Sequence, residues 1–266
     1  MSDSGTSSRW SDLIPRLSSG GVAVVVGLAV MWLGGIWFHI LIAAISGLMV
    51  WELVRMIGGG RVAKPMGIAA GLMLWIAVEL PPGWGLPLLM APALLGVSQI
   101  DHHRFTYAMY TSAIMVAGFG LVLLRDDFGF GWMVWLAMVV IVTDVLGYFA
   151  GKIIGGPKFW PRVSPKKTWS GTTAGWIGAA LVGAVYVWLG HSGPELIAIS
   201  VAMSMAGQLG DVAESALKRR MGVKDSSSII PGHGGMFDRF DAMLGASILL
   251  LMVEQLIDFP PAPVPF

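Results

Sequence analysis

The sequence predicts an all-α fold, a polytopic integral membrane helical bundle of about nine transmembrane helices. Three observations predict it. Of the 266 residues, 55% are hydrophobic and only 12% are charged, with a mean hydropathy of +0.73. A soluble domain carries roughly 25% charged residues, so this chain has too little polar surface to clothe a globule in water. The apolar residues also run continuously instead of alternating, which is the pattern of spanning helices and not of barrel strands. In lipid only those two architectures satisfy every backbone group. Finally, the basic residues are confined to alternate loops.

The elements follow in chain order. Residues 1–20 form a polar cytoplasmic N-terminal segment. No clear small-residue cleavage site follows it, so the first apolar run is read as a retained helix and not a signal peptide. Apolar runs lie at 22–33, 36–56, 66–80, 84–98, 107–124, 131–150, 172–189, 195–217 and 240–257. A spanning helix takes about 20 residues. The first, third and fourth runs are shorter, which brackets the count between seven and nine. Charge arbitrates. With the N-terminus in the cytoplasm and nine alternating helices, Arg125 is the one basic residue of 17 that falls on the outer side. Removing one of the first five helices would put the basic N-terminal segment opposite the two most basic loops, which argues for nine or another count of the same parity.

These runs divide into N-terminal transmembrane helices at 21–130 and a C-terminal transmembrane catalytic region at 131–259. The second contains the long cytoplasmic loops 152–171 and 218–239, and a Pro-rich tail closes the chain at 260–266. The absence of cysteine excludes disulfides and thiolate metal sites. A net charge of +1 gives no sign of a nucleic-acid partner.

A carboxylate within a spanning helix costs several kcal/mol and needs a reason. Asp144 lies in the sixth run. Asp211 and Glu214 lie one turn apart in the eighth, and Asp238 and Asp241 share that spacing at the start of the ninth. All five lie toward cytoplasmic helix ends, and hard oxygens from several helices at one depth suit Mg²⁺. The alternative is structural: Glu214 and Lys218 form an i, i+4 pair, and Asp238 and Asp241 could cap a helix. Glu52, Glu79 and Glu254 have no nearby companions and read as structural. His39 and His191 read as interfacial or outer-loop residues, and Asp101 with His102 and His103 makes a weak metal pattern.

The loop 218–239 sets Lys218, Arg219, Arg220, Lys224 and Arg239 among Gly232, Gly234 and Gly235. Cations and close-approaching backbone amides suit phosphate, and the helix starting near Asp238 would direct its positive dipole end there. His233 has three open roles: proton shuttle, phosphate donor or loop-ordering group. Loop 152–171 repeats the theme, with Ser164, Lys166, Lys167 and Thr168 beside Trp169.

At these residues the chain resembles the phosphatidate cytidylyltransferase (CDP-diacylglycerol synthase) family. The resemblance rests on Ser215-Ala216-Leu217-Lys218-Arg219, Lys224-Asp225, and the run from Pro231 through Gly232-His233-Gly234-Gly235 to Asp238-Arg239-Phe240-Asp241. Asp144 with Gly147-Tyr148, Gly151-Lys152 and the stretch from Ser164 to Trp169 agree with it. Family members usually continue from that Trp with Glu-Gly, and this chain departs with Ser170-Gly171.

The resemblance covers about residues 140–245 and implies transfer of the cytidylyl group of CTP to phosphatidate in phospholipid synthesis. Implied with it are Mg²⁺, with room for a second cation, and a bacterial inner-membrane enzyme whose site faces the cytoplasm. Asp211 and Asp238 are the first expected metal ligands, followed by Asp144, Glu214 and Asp241. Lys167, Lys218, Arg219, Lys224 and Arg239 are expected on phosphates, and Ser164, Lys166, Thr168, Ser215, Gly234 and Gly235 around the substrate. A homodimer is compatible with the sequence. A CTP-dependent membrane lipid kinase and an ion transporter are the other two readings. Transport would favour mid-bilayer charges open to both faces, and these charges cluster at one.

Overall fold

The computed structural model describes residues 13–81, 83–230, 234–257 and 259–261. Among the described residues there are nine helices: α1 (Leu13–Leu33), α2 (Gly35–Met56), α3 (Gly60–Glu79), α4 (Gly85–Gln99), α5 (Arg104–Asp127), α6 (Phe130–Ile153), α7 (Trp169–Trp188), α8 (Glu195–Arg220) and α9 (Phe237–Ile257). Each coincides with one apolar run. Seven, all but α1 and α4, are long and apolar enough to cross a membrane. Helix α4 has 15 residues, about 22 Å at ~1.5 Å per residue, short of a hydrocarbon layer of about 30 Å. In α1 the apolar stretch is Val24–Leu33. The protein is an all-helical integral membrane protein, and exposed Val25, Ile68, Leu94, Phe105 and Trp188 present the apolar exterior that lipid requires.

The segment read as an irregular loop at 152–171 contains a hairpin, β1 (Lys158–Trp160) against β2 (Ser164–Thr168), antiparallel. Helix α7 therefore begins three residues before the apolar run does. Thr168 starts it by accepting a hydrogen bond from Gly171 N–H at 3.2 Å, the standard service of an N-cap hydroxyl.

Polar groups sort to the two ends of the bundle. At one end His39 of α2 bridges Glu79 of α3 at 2.8 Å and Asp126 of α5 at 2.7 Å. There too Arg125 donates to the carbonyls of Met31 and Trp32, at 2.6 and 3.0 Å, satisfying the open end of α1. The one basic residue left on the outer side by sequence thus has a structural job. Glu79, read as having no companion, is thus the partner of His39. The core between the ends centres on fully buried Trp132, Trp135, Phe38 and Met49. Phe259 returns after α9 to stack edge-on against both tryptophans.

The crossing of α8 and α9 positions the opposite end. A Cβ at Gly210 would collide with the carbonyl of Asp241, and one at Gly245 with the carbonyl of Ala206. Small residues let the two backbones touch, the usual device where lipid supplies no hydrophobic drive between helices. That crossing sets Asp211, the neighbour of Gly210, beside Asp241.

Candidate active site

Helices α6, α7, α8 and the β1–β2 hairpin enclose a cavity of about 410 Å³. Asp144 of α6 and Asp211 of α8 line it with Lys152, Lys166 and Lys167, and Tyr148 and Phe159 add aromatic walls. Lys167 Nζ lies 2.5 Å from Asp211, and Ser215 donates to the other Asp211 oxygen at 3.2 Å. Asp241 adds a carboxylate from a third helix: the charge of Asp211 bears on both Asp241 and Asp144, while Lys167 and Arg239 offset Asp144. Asp144 of α6 and Asp211 of α8 therefore line one cavity with three lysines, within electrostatic reach of Asp241 on α9.

The remaining expected residues do something else. Lys218 lies between Glu214 and Asp238, in direct contact with the first and 2.6 Å from the second. All three side chains are largely buried, at 13%, 1% and 8% exposure respectively. Asp238 also accepts from Ser226 N–H at 2.9 Å, Ser226 Oγ at 2.8 Å and Gly235 N–H at 2.8 Å. Both of its oxygens are engaged, so in this arrangement it anchors the α8–α9 loop.

Helical spacing explains the division. Three residues advance a helix by about 300°, leaving neighbours roughly 60° apart. Asp211 then turns to the cavity while Glu214 turns to Lys218, and Asp241 turns to α8 while Asp238 turns to the loop. The i, i+4 pair that sequence offered as the structural alternative is present.

Other expected residues are placed as follows. Lys166, Arg219, Lys224 and Arg239 are exposed, and Ser164 opens β2 half-buried. Thr168 is engaged as the cap of α7. Ser170, where the resemblance expects Glu, bonds to Thr168 Oγ at 3.0 Å and to the carbonyl of Gly155 at 2.5 Å, tying the hairpin to α7. Gly234 has φ +83°, which favours glycine. His233 and its neighbours Pro231 and Gly232 lie outside the described residues.

Glu52 is the residue that sequence reasoning set aside. It is 0% exposed. Ser227 Oγ and Met236 N–H donate to one oxygen at 2.5 and 2.9 Å, and Phe237 N–H to the other at 2.7 Å, where the Ser226 hydroxyl, its one hydrogen shared with Asp238, also lies at 3.2 Å. The amides at the start of α9, read as facing phosphate, are thus taken by a carboxylate from α2. A Cβ at Gly235 would strike Ser226 Oγ and Glu52 itself, so this glycine makes room for the carboxylate. The only sequence signal was an acid one turn before the end of an apolar helix. Its partners lie more than 170 residues away.

No group of three His, Cys, Asp or Glu among the described residues stands close enough to hold a metal ion as arranged. In kind the donors fit a hard cation. Three carboxylates bear on one another, and the Lys167 ammonium already occupies the cationic place at Asp211.

A sequence model of the cytidylyltransferase family matches residues 14–257. The chain is 33% identical over 264 residues to a phosphatidate cytidylyltransferase of Brucella suis biovar 1 (strain 1330), covering 95% of this chain and 97% of that protein. It is 35% identical over 256 residues to the phosphatidate cytidylyltransferase of Bacillus subtilis (strain 168), covering 88% and 94%. To that of Staphylococcus saprophyticus subsp. saprophyticus it is 31% identical over 244 residues, covering 84% and 92%.

Proposed function

The chain belongs to the cytidylyltransferase family, and from that premise we propose that it makes CDP-diacylglycerol and pyrophosphate from CTP and phosphatidate at the cavity between α6, α7 and α8. One observation carries the placement. Lys152, Lys166 and Lys167 meet the carboxylates of Asp144 and Asp211 at the end of membrane-spanning helices. A water-borne triphosphate and a lipid phosphate can both reach that depth.

An oxygen of the lipid phosphate attacks the α-phosphorus of CTP. The new P–O bond forms as the bond from the α-phosphorus to the bridging oxygen breaks, and that electron pair leaves on pyrophosphate. A phosphate monoester carries most of its second charge at pH 7, its second pKa being about 6, so no general base is needed. The demand on the protein is to bring two anions together and hold the charge that spreads over the transferring group. Lys166, Lys167 and Lys152 bind phosphate oxygens in this reading, with Arg239 beside Asp144. Tyr148 and Phe159 offer faces for the base. Asp144, Asp211 and Asp241 are the side chains that would hold Mg²⁺, with room for a second cation, and a bound divalent ion neutralises phosphate oxygens as a Lewis acid. Asp238, Glu214 and Lys218 keep the α8–α9 side of the site in place. Loops 152–171 and 218–239 face the cytoplasm of a bacterial inner membrane, as the distribution of basic residues supports.

The test is an assay in detergent with labelled CTP, scoring both products. Phosphatidate should give CDP-diacylglycerol and pyrophosphate in equal amounts, and diacylglycerol should not replace it. Phosphorylation of diacylglycerol with release of CDP would establish the lipid-kinase reading instead.

A further inference from the structure

The segment between α8 and α9 joins the two helices that bear Asp211 and Asp241, yet it has almost no regular structure of its own among the described residues. One isolated bridge, Ile230 to Gly234, is its only strand-like pairing among the described residues. Ordering such a segment costs about 1–2 kcal/mol of backbone entropy per residue, so fixed contacts must hold it. Two carboxylates supply them. Asp238 holds Ser226 and Gly235 from within α9 itself. Glu52 holds Ser226, Ser227, Met236 and Phe237 from α2, on the far side of the sequence.

The Glu52 contacts have a particular character. Met236 and Phe237 open α9, and the Met236 carbonyl accepts the first bonds of that helix, from Arg239 and Phe240. Glu52 therefore caps α9 in trans and places a negative charge at the positive end of its dipole. Arg239 stands on the first turn of the same helix and Asp241 just beyond it, the first within electrostatic reach of Asp144 and the second of Asp211 and Asp144. We propose that Glu52 is the positioning residue of this half of the site: by capping α9 and clasping Ser226, Ser227, Met236 and Phe237, it sets the register at which Arg239 and Asp241 meet the nucleotide. The inference rests on the cytidylyl-transfer reading of the cavity.

The geometry also says what a neutral replacement would do. Each Glu52 oxygen accepts one serine hydroxyl and one backbone N–H. In Glu52→Gln one of those oxygens becomes NH₂. A serine hydroxyl can turn to accept from it, but a backbone N–H cannot. Whichever way the amide points, Met236 or Phe237 faces a donor with its own N–H buried.

Hydrogen–deuterium exchange at the Met236 and Phe237 amides, which Glu52 holds, reads release of the clasp in the full-length protein without substrate, and kcat/KM for CTP reads the consequence. Glu52→Gln should speed that exchange by about ten-fold or more, the opening expected when a buried amide loses its acceptor, and should lower kcat/KM for CTP by a similar factor. Ser227→Ala, which removes one donor unique to Glu52, should move both readouts the same way by a smaller factor. It decides the matter if Glu52→Gln does not fold. Lower thermal stability with unchanged exchange and unchanged kcat/KM would reduce Glu52 to a packing residue and overturn the proposal. Faster exchange with unchanged kcat/KM would overturn it equally. If the parent protein turned over no CTP at all, the reaction assignment would fall instead, because exchange is read without substrate.

Discussion

Asp238 and Asp211 both sit toward the joined ends of α8 and α9, and isosteric replacement should separate them. In Asp238→Asn the side-chain oxygen can keep the three donors from Ser226 and Gly235, which sets the new NH₂ against the Lys218 ammonium. Breaking a buried ion pair costs about 3–5 kcal/mol. Lys218 keeps Glu214, so the lower part of that range, about 3 kcal/mol, is expected. For a chain of this size about 1 kcal/mol moves Tm by roughly 2–4 °C, which gives a drop of about 6–12 °C. Asp211→Asn breaks a pair whose side chains are each 27% exposed, a class of ion pair worth about 0–1 kcal/mol. It also removes one of three carboxylates that repel. Its Tm should hold or rise. Its turnover should fall by about 10²–10³-fold, the scale on which removing a single electrostatic stabiliser of a transition state slows an enzyme. The assay is a thermal melt in detergent beside initial rates of CDP-diacylglycerol formation. An Asp211→Asn protein that melts as early as Asp238→Asn while retaining near-normal turnover would refute the division of the site argued above. So would an Asp238→Asn protein with parental stability and no turnover.

Lys218→Met should be more damaging to stability than Asp238→Asn, because Glu214 and Asp238 would face each other buried and unpaired, at a cost of about 3–5 kcal/mol; a melt within about 2 °C of the parent, roughly 1 kcal/mol, would contradict it. Lys167→Met should leave stability within about 1 kcal/mol and raise KM for CTP, measured from initial rates. Gly210→Ala should lower both Tm and turnover, since the added Cβ strikes the Asp241 carbonyl and pushes α9 from α8; unchanged rates would disprove the crossing as the device that pairs Asp211 with Asp241. For topology, a thiol at residue 228 should resist impermeant reagents in intact cells and react after lysis, and ready labelling from outside would invert the assigned orientation.

The fold class was settled by composition. A chain with 12% charge and nine apolar runs has one solvent and one backbone solution open to it, and local hydropathy reports both without knowledge of contacts. The motif residues were legible for the same reason, since a charge inside an apolar helix stands out wherever its partner lies. What each charge does was not legible, because that depends on helix rotation and on neighbours distant in the chain. Asp211 and Glu214 share a turn by spacing, yet one faces a cavity and the other Lys218. Gly235 looked like a phosphate-binding glycine, yet it clears space for a carboxylate on α2. Glu52 looked solitary because its four donors come from residues 226–237. A hydrophobicity pattern fixes which stretches enter the membrane. Only the packed bundle, where small residues let particular backbones touch, decides which polar groups meet inside it.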